Sequence, residues 1–448
     1  MGASLGSETA LQQQYDVSRA VLREAVRLVE HHQVASMRRG PGGGLMVTAP
    51  DARPATRAVI IYLEYLGVTL DELLSARVLL EPLTAELAAR RIDETGIAVL
   101  RNTVAGELPR RTGEDFHVVL GGLTGNPVLA LFVDVLIRLT ARYALAARPP
   151  GSEVAAAVER LTQDHAGIVE AVTAGDASRA QALTEEHVEQ VTRWLHRYHR
   201  PAPGRGEAIP PVPEAPKEKL AEGLAADIHD DIAAQGWRIG SLFGAEAELV
   251  ERYRVSRSVL REAVRILEYH NVARMRRGPG GGLLVCEPAP QASVDTVALY
   301  LEYRKPGRAD LALVRNAIEL HNVAQVVQRR DEAEVAGFLA AQRTPLGDDG
   351  GDLREAGLAE YFFHTDLAQL AGNRVLNLFL SILVELFRRH WGSTMAPMPG
   401  ADDAAEVHRA HLRIIEAIVD GDASIARHRS RRHLEALSSW WVTGHGVD

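Results

Sequence analysis

Three pairs among the seventeen histidines fall at matching places in the rear parts of the two halves of the chain: His117 with His364, His165 with His411, and His187 with His433. Three imidazoles brought to one point can hold a divalent metal, and a carboxylate often completes the set. In the second half Glu360 stands four residues before His364, so on a helix it shares that histidine's face. In the first half Gly113 takes that place, with Glu114 and Asp115 beside it. Asp164 and Glu186, each next to a histidine, are candidates to orient the rings. The alternative is a trio hydrogen-bonded in a polar pocket without metal. A second recurring set is basic. Arg19, Arg23 and Arg27 in one half, and Arg257, Arg261 and Arg265 in the other, stand at i, i+4 and i+8, along one face of a helix. Such a row is either a solvated face or a surface for phosphates.

Both sets belong to an internal duplication. Tyr15–Val47 and Tyr253–Val285 agree at 25 of 33 positions at a constant offset of 238. The register continues through Tyr62-Leu63-Glu64-Tyr65 and Tyr300-Leu301-Glu302-Tyr303, then Arg77 and Glu81 against Arg315 and Glu319. It drifts to 247 at Gly125-Asn126 and Gly372-Asn373, and to 246 at Gly175-Asp176 and Gly421-Asp422, as small loop insertions produce. Between the copies, Arg200–Lys219 holds six prolines and no periodicity. It reads as a semi-rigid spacer of roughly 60 Å when extended.

The composition is that of a globular chain: 448 residues, 46% hydrophobic, 24% charged, net charge −9. With that charge, any basic surface must be local. A single cysteine, Cys286, excludes an intrachain disulfide and a cysteine-built zinc or iron–sulfur site. The first residues lack a signal-peptide pattern, and no run approaches the roughly 18 apolar residues of a membrane span. A cytoplasmic protein without a membrane partner is expected.

The elements that carry the arginine rows can be read directly. Lys219–Ala234 is an amphipathic helix, Gly244–Arg252 a short second one, and Tyr253-Arg254-Val255 a tight turn. Ser256 then caps a helix whose Val259, Ala263, Ile266 and Leu267 form a buried stripe; Ser18 is its equivalent. This is a helix-turn-helix followed by two short strands with a basic, glycine-rich tip: Arg276, Arg277 and Gly280 in copy 2, Arg38, Arg39 and Gly42 in copy 1. The tip lacks the spacings of nucleotide-binding glycine loops. Copy 1 shows no counterpart of Lys219–Ala234: either its start is set too late, or its module is incomplete and leaves apolar surface exposed.

The run VSRAVLREAVRLVEHHQVASMRRGPGGGLMV resembles the winged-helix signature of the GntR superfamily of regulators. The resemblance implies that Ser18, Arg19, Arg23, Arg27, Ser256, Arg257, Arg261, Arg265 and the wing residues meet DNA. Thr9 and Ala247 replace an arginine common in the family, and Ala20 and Ser258 replace a threonine, which bears on sequence preference.

Behind each wing the apolar period is helical throughout, in Asp71–Arg91, Pro127–Ala146, Asp310–Arg329 and Arg374–His390, without strand alternation. EDFHVVLGGLTGNP with HAGIVEAVTAGD, and EYFFHTDLAQLAGNR with HLRIIEAIVDGD, resemble the FCD ligand-binding domain of the FadR branch. That resemblance implies a zinc, nickel or manganese ion held by an aspartate and three histidines, beside which a carboxylate effector binds. It implies an effector role for Arg77 and Arg315, and by position for Asn126 and Asn373. Copy 2, with Glu360 in the aspartate's place, is the better candidate for metal. The other histidines, among them His31, His32, His196, His199, His408 and His445, are expected mostly at the surface.

The expected fold is mainly α: winged helix (1–50), helical sensor (55–199), linker (200–218), winged helix (219–288) and helical sensor (292–446). The expected function is that of a non-enzymatic transcriptional regulator, a repressor whose operator affinity responds to a small organic acid. The fusion would act as an intrachain pseudo-dimer on a double-stranded operator, with a homodimer of the fused chain also open. Two other readings stand beside it: a three-histidine metal-dependent hydrolase, and a regulator-derived scaffold that no longer binds DNA.

Overall fold

A computed structural model describes residues 2–38, 40, 43–105, 116–199, 220–342, 353–394 and 401–443. Copy 1 runs α1 (Glu8–Tyr15), α2 (Arg19–His31), β1 (Ala35–Arg38), β2 (Gly44–Val47), α3 (Arg53–Tyr65), α4 (Leu70–Arg91), α5 (Glu94–Ala105), α6 (Phe116–Leu123), α7 (Pro127–Ala146), α8 (Gly151–Thr173) and α9 (Ala177–Tyr198). Copy 2 runs α10 (Leu220–Ala234), β3 (Leu242–Gly244), α11 (Glu246–Arg252), α12 (Arg257–Tyr269), β4 (Ala273–Arg276), β5 (Gly282–Val285), α13 (Pro290–Arg304), α14 (Arg308–Gln328), α15 (Ala333–Gln342), α16 (Leu353–Leu370), α17 (Arg374–Thr394), α18 (Ala401–Val419) and α19 (Ala423–Thr443). The proline-rich tract lies outside the described residues. Among them no helix is long and apolar enough to cross a membrane.

The chain does not divide copy by copy. One compact unit gathers Met1–Thr69, Ile137–Arg148 and His199–Lys305, and therefore both winged helices. The other gathers Leu70–Leu136, Pro149–Tyr198 and Pro306–Asp448, and therefore both helical bundles.

In the first unit, local chemistry sets each module. Ser18 and Ser256 accept hydrogen bonds from the amides of Val21 and Val259, starting α2 and α12. Asp16 and Arg254, at equivalent places in the tight turns, both take positive φ, 49° and 53°. In copy 2, Leu224, Ile228 and Ile232 of α10 pack on Leu260, Val264 and Leu267 of α12. The copy 1 core is smaller: Leu11, Leu22, Val26, Ala35 and Leu45. Ala25 and Leu28 are exposed there, whereas their equivalents are buried (Ala263) or half-buried (Ile266). Among the described residues no counterpart of α10 covers them.

The wings hold a strand beyond the two expected. In copy 2 the sheet order is β3-β5-β4; in copy 1, Ser4 bridges to Met46 and stands where β3 would lie. The glycine tip is required by space: a Cβ on Gly281 would meet the Arg276 carbonyl at 2.3 Å.

The domain boundaries also need correction at α3 and α13, which the sequence reading places at the heads of the sensors. Both belong to the winged-helix unit. Ser293 Oγ donates to the Ala58 carbonyl (2.8 Å), and Ile61 of α3 is buried in the winged-helix core of copy 2. Arg57 donates to the Glu222 carbonyl (3.2 Å) and Tyr65 to Glu287 (2.9 Å). The copy 1 helix thus completes the copy 2 core. A strongly apolar segment, AVIIYL, packs wherever apolar surface is open, whatever its place in the chain.

In the second unit, α4 packs against α6, α8 and α9, and α14 against α16, α17, α18 and α19. The two bundles meet through matched contacts. Asn126 Nδ2 donates to the Asp310 carbonyl (3.0 Å), and Asn373 Nδ2 donates to the Glu72 carbonyl (2.9 Å). Phe132 and Phe379, equivalent residues, stack with centroids 3.9 Å apart and planes within 6°. An interface in which residue i meets j while j's equivalent meets i's has the pattern of a two-fold homodimer.

Candidate functional site

Apart from the half-buried Arg265, the arginine rows are exposed. The side chains of Arg19, Arg23 and Arg261 are 66%, 57% and 67% accessible, and Arg27, Arg38, Arg257 and Arg277 are also exposed. Each row is aimed by one carboxylate of the preceding helix. Arg19 Nε and Arg23 Nε donate to Glu8 Oε1 (3.0 and 2.7 Å), and Arg261 Nε donates to Glu246 Oε1 (2.9 Å). The Arg19 and Arg23 guanidiniums hold the Glu8 carboxyl at about 2. Arg265 Nε lies 3.7 Å from Glu24 of the other recognition helix, and His32 sits edge-on to Tyr269. Arg276 folds back to donate to the Gly280 carbonyl (2.6 Å), and Gly280 takes φ +70°. Ser18 and Ser256 spend their hydroxyl oxygens on the caps. Arg39 and Gly42 lie outside the described residues.

The histidines converge. In each trio, His117 with His165 and His187, and His364 with His411 and His433, one nitrogen per ring lies within 4.8 Å of the other two. In copy 2 the rings come from α16, α18 and α19. His411 Nε2 is 3.2 Å and His364 Nε2 3.3 Å from His433 Nε2. Nitrogens at two corners of a tetrahedron with arms of about 2.05 Å stand about 3.3 Å apart, so these two separations suit a bound divalent ion. Phe363 stacks on His411 at 3.7 Å and Phe116 on His165 at 4.2 Å, fixing one ring of each trio. Burial, with His117 and His187 beside it, pushes the His165 imidazole down to about 2. A neutral imidazole is the form that binds metal.

Of the carboxylates behind the rings, Asp164 is one expected from the sequence, and Glu81 and Glu319 are not. The Glu360 side chain lies outside the described residues. Glu319, one helix away on α14, bonds His364 Nδ1 and receives Arg315 Nε. In copy 1, Glu81 Oε2 is 2.8 Å from His117 Nδ1 and its partner is Arg77. Asp164 Oδ2 is 3.2 Å from His187 Nδ1. Burial alone would raise the Glu319 carboxyl, but Arg315 and His364 override it and hold it at about 2; Glu81 is likewise held low by Arg77 and His117. A carboxylate on Nδ1–H fixes the tautomer and turns the Nε2 lone pair toward the centre of the trio.

The comparisons with known proteins bear on both sites. The FCD domain model matches residues 72–190 and 310–436, more than half of the chain, and the model for bacterial regulatory proteins of the gntR family matches 220–282. The chain belongs to the FCD-bearing GntR regulators. The Uxu operon regulator of Haemophilus influenzae is 27% identical over 203 residues, 43% of this chain and 73% of its own length. The HTH-type transcriptional regulator LutR of Bacillus subtilis is 26% identical over 215 residues, 44% and 93% respectively. The Uxu operon transcriptional regulator of Escherichia coli is 26% identical over 244 residues, 50% and 88%. Members of this family regulate transcription and are not enzymes, so the hydrolase reading falls. A GntR helix-turn-helix binds DNA and an FCD domain takes a small-molecule effector.

Within this GntR–FCD regulator some expected residues do different work. Asn126 and Asn373 cap α7 and α17, accepting from the amides of Val128 and Leu129, and of Leu376, and spend their amino groups on the opposite bundle. Both side chains thus take part in the contact between the bundles. Arg77 and Arg315 are buried and committed to Glu81 and Glu319, so they act first by fixing those carboxylates. His229, expected at the surface with the other unmatched histidines, and His270, the counterpart of His32, are buried in the winged-helix unit; His229 Nε2 lies 3.4 Å from Glu64. The residues sequence reasoning passed over are Glu81 and Glu319. Their signal was present: an Arg-x-x-x-Glu pair recurring at the offset of 238 places both side chains on one helix face.

Proposed function

We propose that this regulator is a repressor in which tandem fusion supplies, within one chain, the paired modules that family members obtain by dimerising. The observation that supports this most directly is the reciprocal bundle contact. Asn126 with Asp310, Asn373 with Glu72, and Phe132 on Phe379 reproduce an isologous interface inside one polypeptide. Fusion makes the second winged helix's encounter intramolecular and raises its effective concentration. Two arginine rows then meet half-sites about one helical turn apart on double-stranded DNA.

In this reading each histidine trio holds a divalent ion, zinc, nickel or manganese. Once bound, that ion supplies a Lewis-acidic position for a small organic acid. His364, His411 and His433 hold it in copy 2, with Glu319 orienting His364; His117, His165 and His187 do so in copy 1, with Glu81 and Asp164 orienting. The effector shifts operator affinity by favouring one arrangement of the chain over another.

A gel shift with the region upstream of the protein's own gene tests the DNA half. Arg23→Ala and Arg261→Ala each weaken binding and reduce the slope of log K against log salt by about 0.9 for each phosphate no longer neutralised. Binding and slope unchanged in both variants would refute it. Metal content of protein purified without added ions tests the sensor half.

A further inference from the structure

Asn322, on α14 three residues beyond Glu319, is 2% exposed, and neither its Oδ1 nor its Nδ2 meets a hydrogen-bond partner among the described residues. With Glu319, His364, His433 and Phe363 it lines a cavity of about 10 Å³. That is room for one water-sized group. A buried amide with both ends unmade is expensive, so in the working protein something fills them.

The first sensor is built differently. At the equivalent place stands Thr84, whose Oγ1 donates to the Leu80 carbonyl (2.7 Å) within its own helix. The hydroxyls at equivalent places in the two copies, Thr184 and Ser430, are both satisfied in the same manner. The second sensor alone places an uncommitted donor and acceptor beside its histidines at this position.

We propose that Asn322 is the residue by which the second sensor reads a hydroxyl group on a carboxylate effector, and that the first sensor does not read it. An amide offers Nδ2–H and Oδ1 side by side. A hydroxyl both donates and accepts through one heavy atom, which is what the space admits. A carbonyl would satisfy Nδ2 only, and a second carboxylate would set a charge against Oδ1, Glu319 and the apolar walls of Val323, Leu367 and Ile414. The two sensors of one chain therefore differ in ligand chemistry. This rests on the acid-sensing reading above.

The test is calorimetric titration of the zinc-loaded full chain with glycolate, the smallest 2-hydroxy acid, and with acetate, which lacks only the hydroxyl. The wild type is expected to show two classes of glycolate site differing by about tenfold, the worth of one hydrogen bond, and one class of acetate site. Asn322→Thr, which installs the first sensor's residue, is expected to merge the glycolate sites into the weaker class and to leave acetate affinity and zinc content unchanged. Equal binding of both acids by the wild type would mean that the cavity holds a buried water only, and would overturn the role of Asn322. Discrimination that survives in Asn322→Thr would overturn it equally. In both cases the acid-sensing reading stands. Binding of neither acid by the zinc-loaded wild type sinks the acid-sensing reading and this proposal with it.

Discussion

Glu319→Gln separates two roles that one carboxylate plays. Its side chain and that of Arg315 are 6% and 11% accessible, and it bonds both Arg315 and His364 Nδ1. Gln keeps the volume and one acceptor but removes the charge. Breaking a buried ion pair from one side costs about 3–5 kcal/mol; the retained amide oxygen places the expected loss near the lower end, about 3 kcal/mol. That loss belongs to the metal-free protein and is read by its denaturant unfolding. Separately, His364 loses the acceptor that fixes its tautomer. Removing such an orienting group typically weakens metal binding by about 10–100-fold, or about 1.4–2.8 kcal/mol. That is read by competing zinc away with a chelator under conditions where the variant is fully folded. If Glu319→Gln lowers metal-free stability but keeps zinc affinity within about twofold, the carboxylate is a salt-bridge partner only, and the orientation argument is refuted. Glu81→Gln repeats the experiment in the first sensor, where Arg77 and His117 replace Arg315 and His364.

Other outcomes follow from the same geometry. Phe379→Ala removes a fully buried ring stacked on Phe132 and is expected to cost about 3–5 kcal/mol; Phe132→Ala added to it should cost less than its single effect, and simple additivity would show that the rings do not act as a pair. Burial depresses the His229 imidazole below its ordinary 6.5, partly opposed by Asp230 and set among Arg142, Arg57 and Glu64. The unfolded chain therefore takes up this proton first, so the contribution of His229 is complete above pH 6.5 and is lost as pH falls below it, at up to about 1.4 kcal/mol per pH unit. His229→Gln should flatten that part of the stability profile of the winged-helix unit, measured by hydrogen exchange of α10 between pH 7.5 and 5.5; an unchanged slope would count against it. Gly281→Ala brings a Cβ to 2.3 Å from the Arg276 carbonyl and must open the wing turn. Operator affinity should fall several-fold with little change in melting temperature, and an unaltered affinity would show that the second wing makes no contribution.

The sequence by itself determined the local parts. Duplication at an offset of 238, serine caps ahead of Arg19 and Arg257, the arginine spacing of four and the three matched histidines are all properties of neighbours along the chain. Helix periodicity and side-chain type are enough to express them. The fold class followed for the same reason, since each bundle helix carries its own apolar stripe. Only the tertiary structure decided how these parts combine. It put α3 of the first copy into the core of the second winged helix, where Ile61 is buried. It paired Asn126 with Asp310 across 184 residues. It brought Glu319, rather than a neighbour of His364 in sequence, to the histidine's Nδ1. Apolar burial is non-directional, so a helix stripe specifies that it must be covered but not by which segment. Hydrogen bonds and ion pairs between distant residues depend on that choice and become legible only once it has been made.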